Sequence, residues 1–305
     1  MSCAGARSRR SCRPGSARFA TRPTSNTASK SERRVQEPPE VTGHRPRKRF
    51  GQHFLHDPSV IARIVRAVNA KPGERIVEIG PGLGALTDAL LERCDHLDVI
   101  ELDRDLAAKL EHAHSGDPRL SVHSGDALDF DFARLTAPGE RLRVVGNLPY
   151  NVSTPLLFRL LEQAAIITDM HFMLQREVVD RLTAEPGGRS YGRLTIMVRL
   201  ICECEKLFEV GAGAFRPPPR VTSALVRLRV RSEPLVRLVD PRAFERLVAH
   251  LFSRRRKTLR NSLRGQLGEA EFEALGIDPQ ARPETLDLAR LAALANALHA
   301  GPRGA

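Results

Sequence analysis

The chain has 305 residues, 41% of them hydrophobic, and a net charge of +12. That length supports one large core with a small second domain, and no apolar stretch approaches a membrane span, so a soluble protein is expected. The charge suggests a polyanionic partner. Yet residues 1–50 hold thirteen basic and three acidic side chains and so supply +10 of it, leaving +2 for the other 255 residues. Local clusters, not net charge, therefore carry the question of nucleic-acid binding. The cysteines (Cys3, Cys12, Cys94, Cys202 and Cys204) are odd in number and lack zinc-ligand spacing. A reducing, cytoplasmic setting without a bound metal is expected, with Cys202 and Cys204 as ordinary strand residues.

Residues 1–45 are rich in Arg, Ser, Pro and Thr, too polar for a core, and read as a disordered basic tail. Their composition resembles a transit peptide without its amphipathic helix; a start codon assigned too far upstream is the other reading. Order is expected from about residue 47. Asp57-Pro58 marks a helix start, followed by Ile61, Ile64, Val65 and Val68 on one face and a stop at Lys71-Pro72-Gly73. A strand at 75–79 runs into the glycine turn Gly80-Pro81-Gly82-Leu83-Gly84. The alternation continues with a helix at 86–93, a strand at 97–102, a helix at 106–112, strands at 120–123 and 142–145, a helix at 155–164 and a strand at 170–174. Such alternation predicts an α/β fold with a parallel, doubly wound sheet. Two closing strands, probable hairpin partners, are expected at 194–202 and 221–230. After Glu233-Pro234 the pattern turns helical: Asp240-Pro241 is a second cap, and apolar stripes run through Phe244 to Phe252 and Leu291 to Leu298. The expected organisation is a tail at 1–45, a cofactor-binding catalytic domain at 46–233 and a helical docking domain at 234–305.

Glycines let backbone approach a ligand, and the turn stands between a strand and a helix. Glu101 lies 21 residues beyond Gly80, at the end of the next strand, where a carboxylate can bind both ribose hydroxyls. Asp126 follows the third strand and can accept from an adenine amine. Asn147-Leu148-Pro149-Tyr150 ends the fourth strand, 67 residues after Gly80. An exocyclic adenine amine is a poor nucleophile because its lone pair is delocalised into the ring. Acceptors aimed at its hydrogens, the Asn147 side-chain oxygen and the Leu148 carbonyl, would stabilise the charge that develops on alkylation. Pro149 stiffens the loop, and Tyr150 offers a face to an extruded base. Together these features point to methyl transfer from S-adenosylmethionine to N6 of adenine. Phe215, before Arg216-Pro217-Pro218-Pro219, reads either as a clamp on the other face of the base or as a loop anchor in the core. His171 reads as a core histidine. Two clusters suit phosphates: Arg45, Arg47, Lys48 and Arg49; and Arg254, Arg255, Arg256, Lys257 and Arg260, followed by Arg264.

Several segments resemble one family, the ribosomal RNA adenine dimethylases of the bacterial small-subunit, kasugamycin-sensitivity type. They are Arg49-Phe50-Gly51-Gln52-His53-Phe54-Leu55, Val77-Glu78-Ile79-Gly80-Pro81-Gly82, Ile100-Glu101-Leu102-Asp103, Gly146 through Pro155, Tyr191-Gly192-Arg193, Phe215 through Val221, and Arg255 through Leu263. The resemblance covers about residues 45–300. It implies a Rossmann-like class I methyltransferase domain and dimethylation of two adjacent adenosines in the 3′-terminal hairpin loop of 16S rRNA. It also implies action during small-subunit assembly; a monomer is expected. It carries cofactor contacts over to His53, Leu55, Gly80, Glu101, Asp126 and Asn147. The family usually has Asn at the place of His53. Rival readings are a 23S rRNA dimethylase, against which the Arg255–Leu263 segment argues; a nicotinamide dehydrogenase, which would leave Asn147 to Tyr150 unexplained; and a nucleic-acid-binding factor on a retained methylase fold.

Overall fold

A seven-stranded sheet runs through the computed structural model, which describes residues 52–300. The tail at 1–45, the basic cluster at 45–49, Cys3 and Cys12 lie outside the described residues. In chain order the elements are β1 (Phe54–Leu55), α1 (Pro58–Val68), β2 (Arg75–Ile79), α2 (Ala85–Leu91), β3 (Leu97–Glu101), α3 (Arg104–Ala113), β4 (Leu120–Ser124), β5 (Leu142–Asn147), α4 (Ser153–Glu162), β6 (Ile167–Gln175) and α5 (Arg176–Leu182). There follow α6 (Arg193–Ile201), β7 (Cys202–Val210), β8 (Phe215–Arg216), β9 (Ser223–Val230), α7 (Pro241–Ser253), α8 (Leu259–Ser262), α9 (Glu269–Ala274) and α10 (Leu288–Ala300).

The sheet order is β4-β3-β2-β5-β6-β9-β7. The first five strands are parallel, and β9 is antiparallel to both β6 and β7. The connections leaving β2 and β5 diverge to opposite halves of the sheet, which opens a crevice at the carboxyl ends of those two strands. β1 and β8 form a separate antiparallel ribbon, Phe54 opposite Arg216 and Leu55 opposite Phe215. Two-residue strands carry no periodicity, so the sequence gives no warning of them.

The capping signals act as read. Asp57 accepts from the Ser59 and Val60 N–H groups ahead of Pro58, and Asp240 accepts from Arg242 N ahead of Pro241. α1 ends earlier than expected, at Val68, because Asn69 turns left-handed at φ 50°. At the amino ends of the strands, Arg143 donates to Asp169, to Glu74 and to the Val68 carbonyl at 2.7–3.0 Å, tying the end of α1 to β5 and β6.

One expected strand is corrected. Residues 194–201 form a helix, α6, and the strands that pair are β7 and β9. Leu194, Val198 and Ile201, at helical spacing, pack on the core beneath the sheet, whereas Ile196, Met197 and Leu200 pack on the core of the carboxyl-terminal helices. A helix buried on two sides is apolar nearly all round, and such a run looks like a buried strand. Thr195 Oγ settles it: it accepts from Gly192 N and donates to the Arg181 carbonyl, fixing the first turn. The carboxyl-terminal core also recruits Tyr191, whose hydroxyl donates to the Leu286 carbonyl at 2.8 Å.

Gly146 is where the two strands flanking the crevice meet most tightly. A Cβ there would stand 2.6 Å from the Ile79 carbonyl oxygen and 3.1 Å from a Leu148 methyl. The first obstacle is backbone and cannot rotate away. Gly146→Ala is therefore expected to cost about 1–3 kcal/mol, the scale of overpacking, and to lower cofactor affinity by spreading β2 from β5. Denaturant unfolding and calorimetry check the two effects.

Candidate active site

A cleft opens at the carboxyl ends of β2, β3, β4 and β5, lined among others by His53, Leu55, Gly80, Glu101, Asp126, Asn147, Leu148, Pro149 and Tyr150. Its empty space, with the open mouth and the solvent there included, is about 1240 Å³. The glycine turn forms one wall. Gly80 and Gly82 both have positive φ, and a Cβ on Gly82 would lie 2.9 Å from the Phe54 ring.

The carboxylates define the charge of the cleft. Glu101, 6% exposed, accepts from Gly82 N at 3.0 Å and from Asp103 N at 2.9 Å. Burial raises its pKa, and those N–H groups oppose the rise. A carboxylate has about four acceptor sites, so acceptor capacity remains for ligand hydroxyls beside these N–H groups. Asp126 accepts from Leu128 N at 2.9 Å. Glu78, Glu101, Asp103 and Asp126 all line the cleft, and among the described residues no Lys or Arg does. Such a lining suits a nucleoside cofactor bearing positive charge and disfavours the pyrophosphate of a dinucleotide.

Asn147 ends β5, and its Nδ2 lies 2.9 Å from the His53 carbonyl oxygen. A carbonyl can only accept, so that contact assigns the amide: nitrogen faces His53, and Oδ1 is left as an acceptor. Leu148 is buried and donates its N–H to the Met173 carbonyl at 3.2 Å. The Tyr150 hydroxyl bonds Ser223 Oγ at 2.9 Å, which pins the ring at its far end, and burial raises its pKa, so it stays a phenol. The His53 ring lies 5.7 Å from the Tyr150 ring, with 31° between the planes.

Other expected residues fall elsewhere. Phe215 is 2% exposed and packs into the core with Ile64, Leu55 and Leu225; it does not line the cleft. The core-anchor reading thus replaces the clamp: strand alternation turns Phe215 inward and Arg216 outward. The basic segment after α7 divides. Arg255 donates to the Gly188 and Arg189 carbonyls and lies 3.7 Å from Glu284, and Arg260 pairs with Glu269. Arg254, Arg256 and Lys257 are exposed. Arg181, Arg189, Arg193 and Arg255 also line a second, shallower groove between α5 and α7. His171 is buried outside the cleft, its Nδ1 3.6 Å from Asp169. Burial pushes the Cys202 and Cys204 thiols up to about 12, so neither is a thiolate near neutral pH. No cluster of metal-ligating side chains occurs among the described residues.

Glu78 is the site residue that sequence reasoning missed. It is 1% exposed, and Thr87 Oγ donates to it at 2.7 Å. Burial pushes its carboxyl up to about 8, and the neighbouring Glu101 and Asp88 add to the rise. The signal was present: an acid inside the otherwise apolar run Ile76-Val77-Glu78-Ile79.

Residues 43–299 match the family described as Ribosomal RNA adenine dimethylase. The Ribosomal RNA small subunit methyltransferase A of Acinetobacter baylyi is 57% identical over 258 residues, 85% of this chain and 94% of the relative. Among solved structures, a dimethyladenosine transferase from Plasmodium falciparum superposes with a TM-score of 0.69 at 27% identity, covering 79% of this chain and 96% of that one. The 23S rRNA methyltransferase ErmE gives a TM-score of 0.64 at 30% identity, covering 81% and 99%.

The raised carboxyl of Glu78 sets a pH dependence. The unfolded chain ionises this group near 4.5 while the folded protein keeps the proton to about 8. Its contribution to stability is full below the lower value and is lost as pH rises through the higher one. Between them stability falls by up to about 1.4 kcal/mol per pH unit. Glu78→Gln is expected to flatten that slope. Urea unfolding of both proteins from pH 5 to pH 9 measures it.

Proposed function

Because the chain belongs to the ribosomal RNA adenine dimethylase family, we propose that it dimethylates N6 of two adjacent adenosines in the 3′-terminal hairpin loop of 16S rRNA, using S-adenosylmethionine, during small-subunit assembly. The observation that carries the chemistry is the assigned Asn147 amide, with Oδ1 left as an acceptor beside a carboxylate-lined nucleoside cleft. Sharing 57% identity with a relative named for the small subunit, against 30% with one named for 23S rRNA, favours the 16S target. We also take the protein to act as a monomer in the cytoplasm; no described helix is long and apolar enough to cross a membrane.

The acidic lining fits a cationic nucleoside cofactor, which supplies an electrophilic methyl group on a sulfonium when bound. Glu101 would hold the ribose hydroxyls and Asp126 the adenine amine, with His53, Leu55 and Gly80 completing the walls. Asn147 Oδ1 and the Leu148 carbonyl would accept from the target N6 hydrogens, which favours a pyramidal nitrogen and stabilises its developing charge. Pro149 fixes the direction of that carbonyl. Tyr150, held by Ser223, would stack on the extruded base. The alkylated nitrogen is acidic and passes its proton to water, so no strong base is needed. A second methyl transfer follows on a nitrogen that keeps one hydrogen, held by one of the two acceptors; that proton also passes to water.

Residues 234–305 would serve as the helical docking domain, with Arg254, Arg256 and Lys257 as exposed cations and Arg181, Arg189 and Arg193 of the groove beside them as a continuation of the track. The direct test incubates the protein with labelled S-adenosylmethionine and either immature small subunits or protein-free 23S rRNA. Label on two adjacent adenines near the 3′ end of 16S rRNA is expected; label confined to 23S rRNA defeats the proposal. Replacing Arg254, Arg256 and Lys257 by Gln is expected to weaken subunit binding. Each lost phosphate contact should reduce the log–log salt slope by about 0.7–0.9, with cofactor affinity unchanged. Arg255→Gln should instead lower stability, since its donors serve Gly188 and Arg189. Salt-series binding and thermal unfolding separate the two classes.

A further inference from the structure

We propose that His53 is a positioning residue for methyl transfer: its ring, latched to the Pro217 carbonyl, holds its own main-chain carbonyl where that group orients the Asn147 amide. The proposal rests on the reading of Asn147 as acceptor for the target amine.

Three contacts meet at this one residue. Asn147 Nδ2 donates to the His53 carbonyl at 2.9 Å. His53 Nδ1 lies 2.7 Å from the Pro217 carbonyl, and since a carbonyl only accepts, Nδ1 carries the proton. The ring also flanks Tyr150. His53 immediately precedes the β1–β8 ribbon, whose last pair on this side is Phe54 with Arg216. The register would next place His53 opposite Pro217. The next hydrogen-bonded pair would be Gln52 with Pro218, which has no N–H to donate, so the ladder stops.

His56 N bonds the Ala214 carbonyl, so the hydrogen-bonded pairs of the ribbon are 56/214 and 54/216, and 53/217 falls where the two backbones do not bond each other. The His53 carbonyl therefore points away from β8 and is available to Asn147, and the imidazole supplies the cross-link to Pro217. Without it, the carbonyl that fixes the Asn147 amide would sit at the frayed end of a two-residue ribbon. An amide with no fixed partner can flip, presenting hydrogens rather than Oδ1 to the target amine. His53 would thus act through Asn147, not on the reacting atoms.

The experiment is a double-mutant cycle on methylation of immature small subunits, with cofactor affinity measured by calorimetry. His53→Ala is expected to lower kcat roughly ten- to hundredfold, the scale of a misplaced catalytic group. KM for the subunit should stay within about twofold, with the cofactor kept saturating at the affinity that calorimetry gives for each variant. His53→Asn, which keeps an N–H donor near the place of Nδ1, should restore most of kcat. In an Asn147→Ala background, adding His53→Ala should cost less than about twofold, because the group it positions is gone. Nitrogen NMR of the wild-type ring should show the proton on Nδ1. Additive losses, or a neutral ring protonated on Nε2, would each overturn the latch while leaving the acceptor reading intact. Full activity of Asn147→Ala would overturn both.

Discussion

The site depends on how closely β5 approaches β2. Gly146 stands opposite Ile79 in the parallel register, and the space between them admits no side chain at that point. The next residue along β2 is Gly80, which opens the nucleoside turn; the next along β5 is Asn147. The register and the glycine together therefore set the separation between the glycine turn and Asn147, the acceptor proposed for the target amine. A turn and an acceptor borne on separate loops would have to find that separation at an entropic cost. Here it is fixed by a hydrogen-bonded sheet.

Charge is distributed to match. Carboxylates line the cleft, and the basic groups offered for RNA lie outside it. One of those carboxyls, Glu78, is held largely protonated at neutral pH by burial, so the lining is less negative than a count of acids suggests. A bound cation would shift that balance toward ionisation, because opposite charge stabilises the carboxylate. The cleft is thus poised to strengthen its field when a positively charged cofactor arrives. An empty cleft does not bear the full repulsion of four anions.

The legible parts of the sequence were those in which one local rule decides the outcome. Asp57-Pro58 and Asp240-Pro241 have a single good use, and the strands β2 to β6 are apolar runs between turn signals. The cleft residues from Gly80 to Tyr150 were readable because they stand at successive strand ends. Where tertiary packing decides, the sequence was silent or misleading. α6 looked like a strand because it faces two cores. Phe215 could point either way until β8 had a partner. The basic run after α7 has no visible phase, and only the fold separates Arg255, bound to two carbonyls, from its exposed neighbours.

The same helix that hid from the sequence explains how docking can be made to serve chemistry. Phosphate contacts supply affinity without specifying which base is attacked. That choice requires the cations to be held at a fixed offset from Asn147. α6 supplies the connection, with one face in the core beneath the sheet and the other in the core of the carboxyl-terminal helices. Tyr191, bonded to Leu286, and Arg255, bonded to the 188–189 backbone, add ties on the same side. A linker joining two separate cores would leave the carboxyl-terminal helices free to rotate. If those helices dock RNA as proposed, a helix shared by both cores would pass the position of the RNA backbone to the strand ends through close-packed side chains, which deform little.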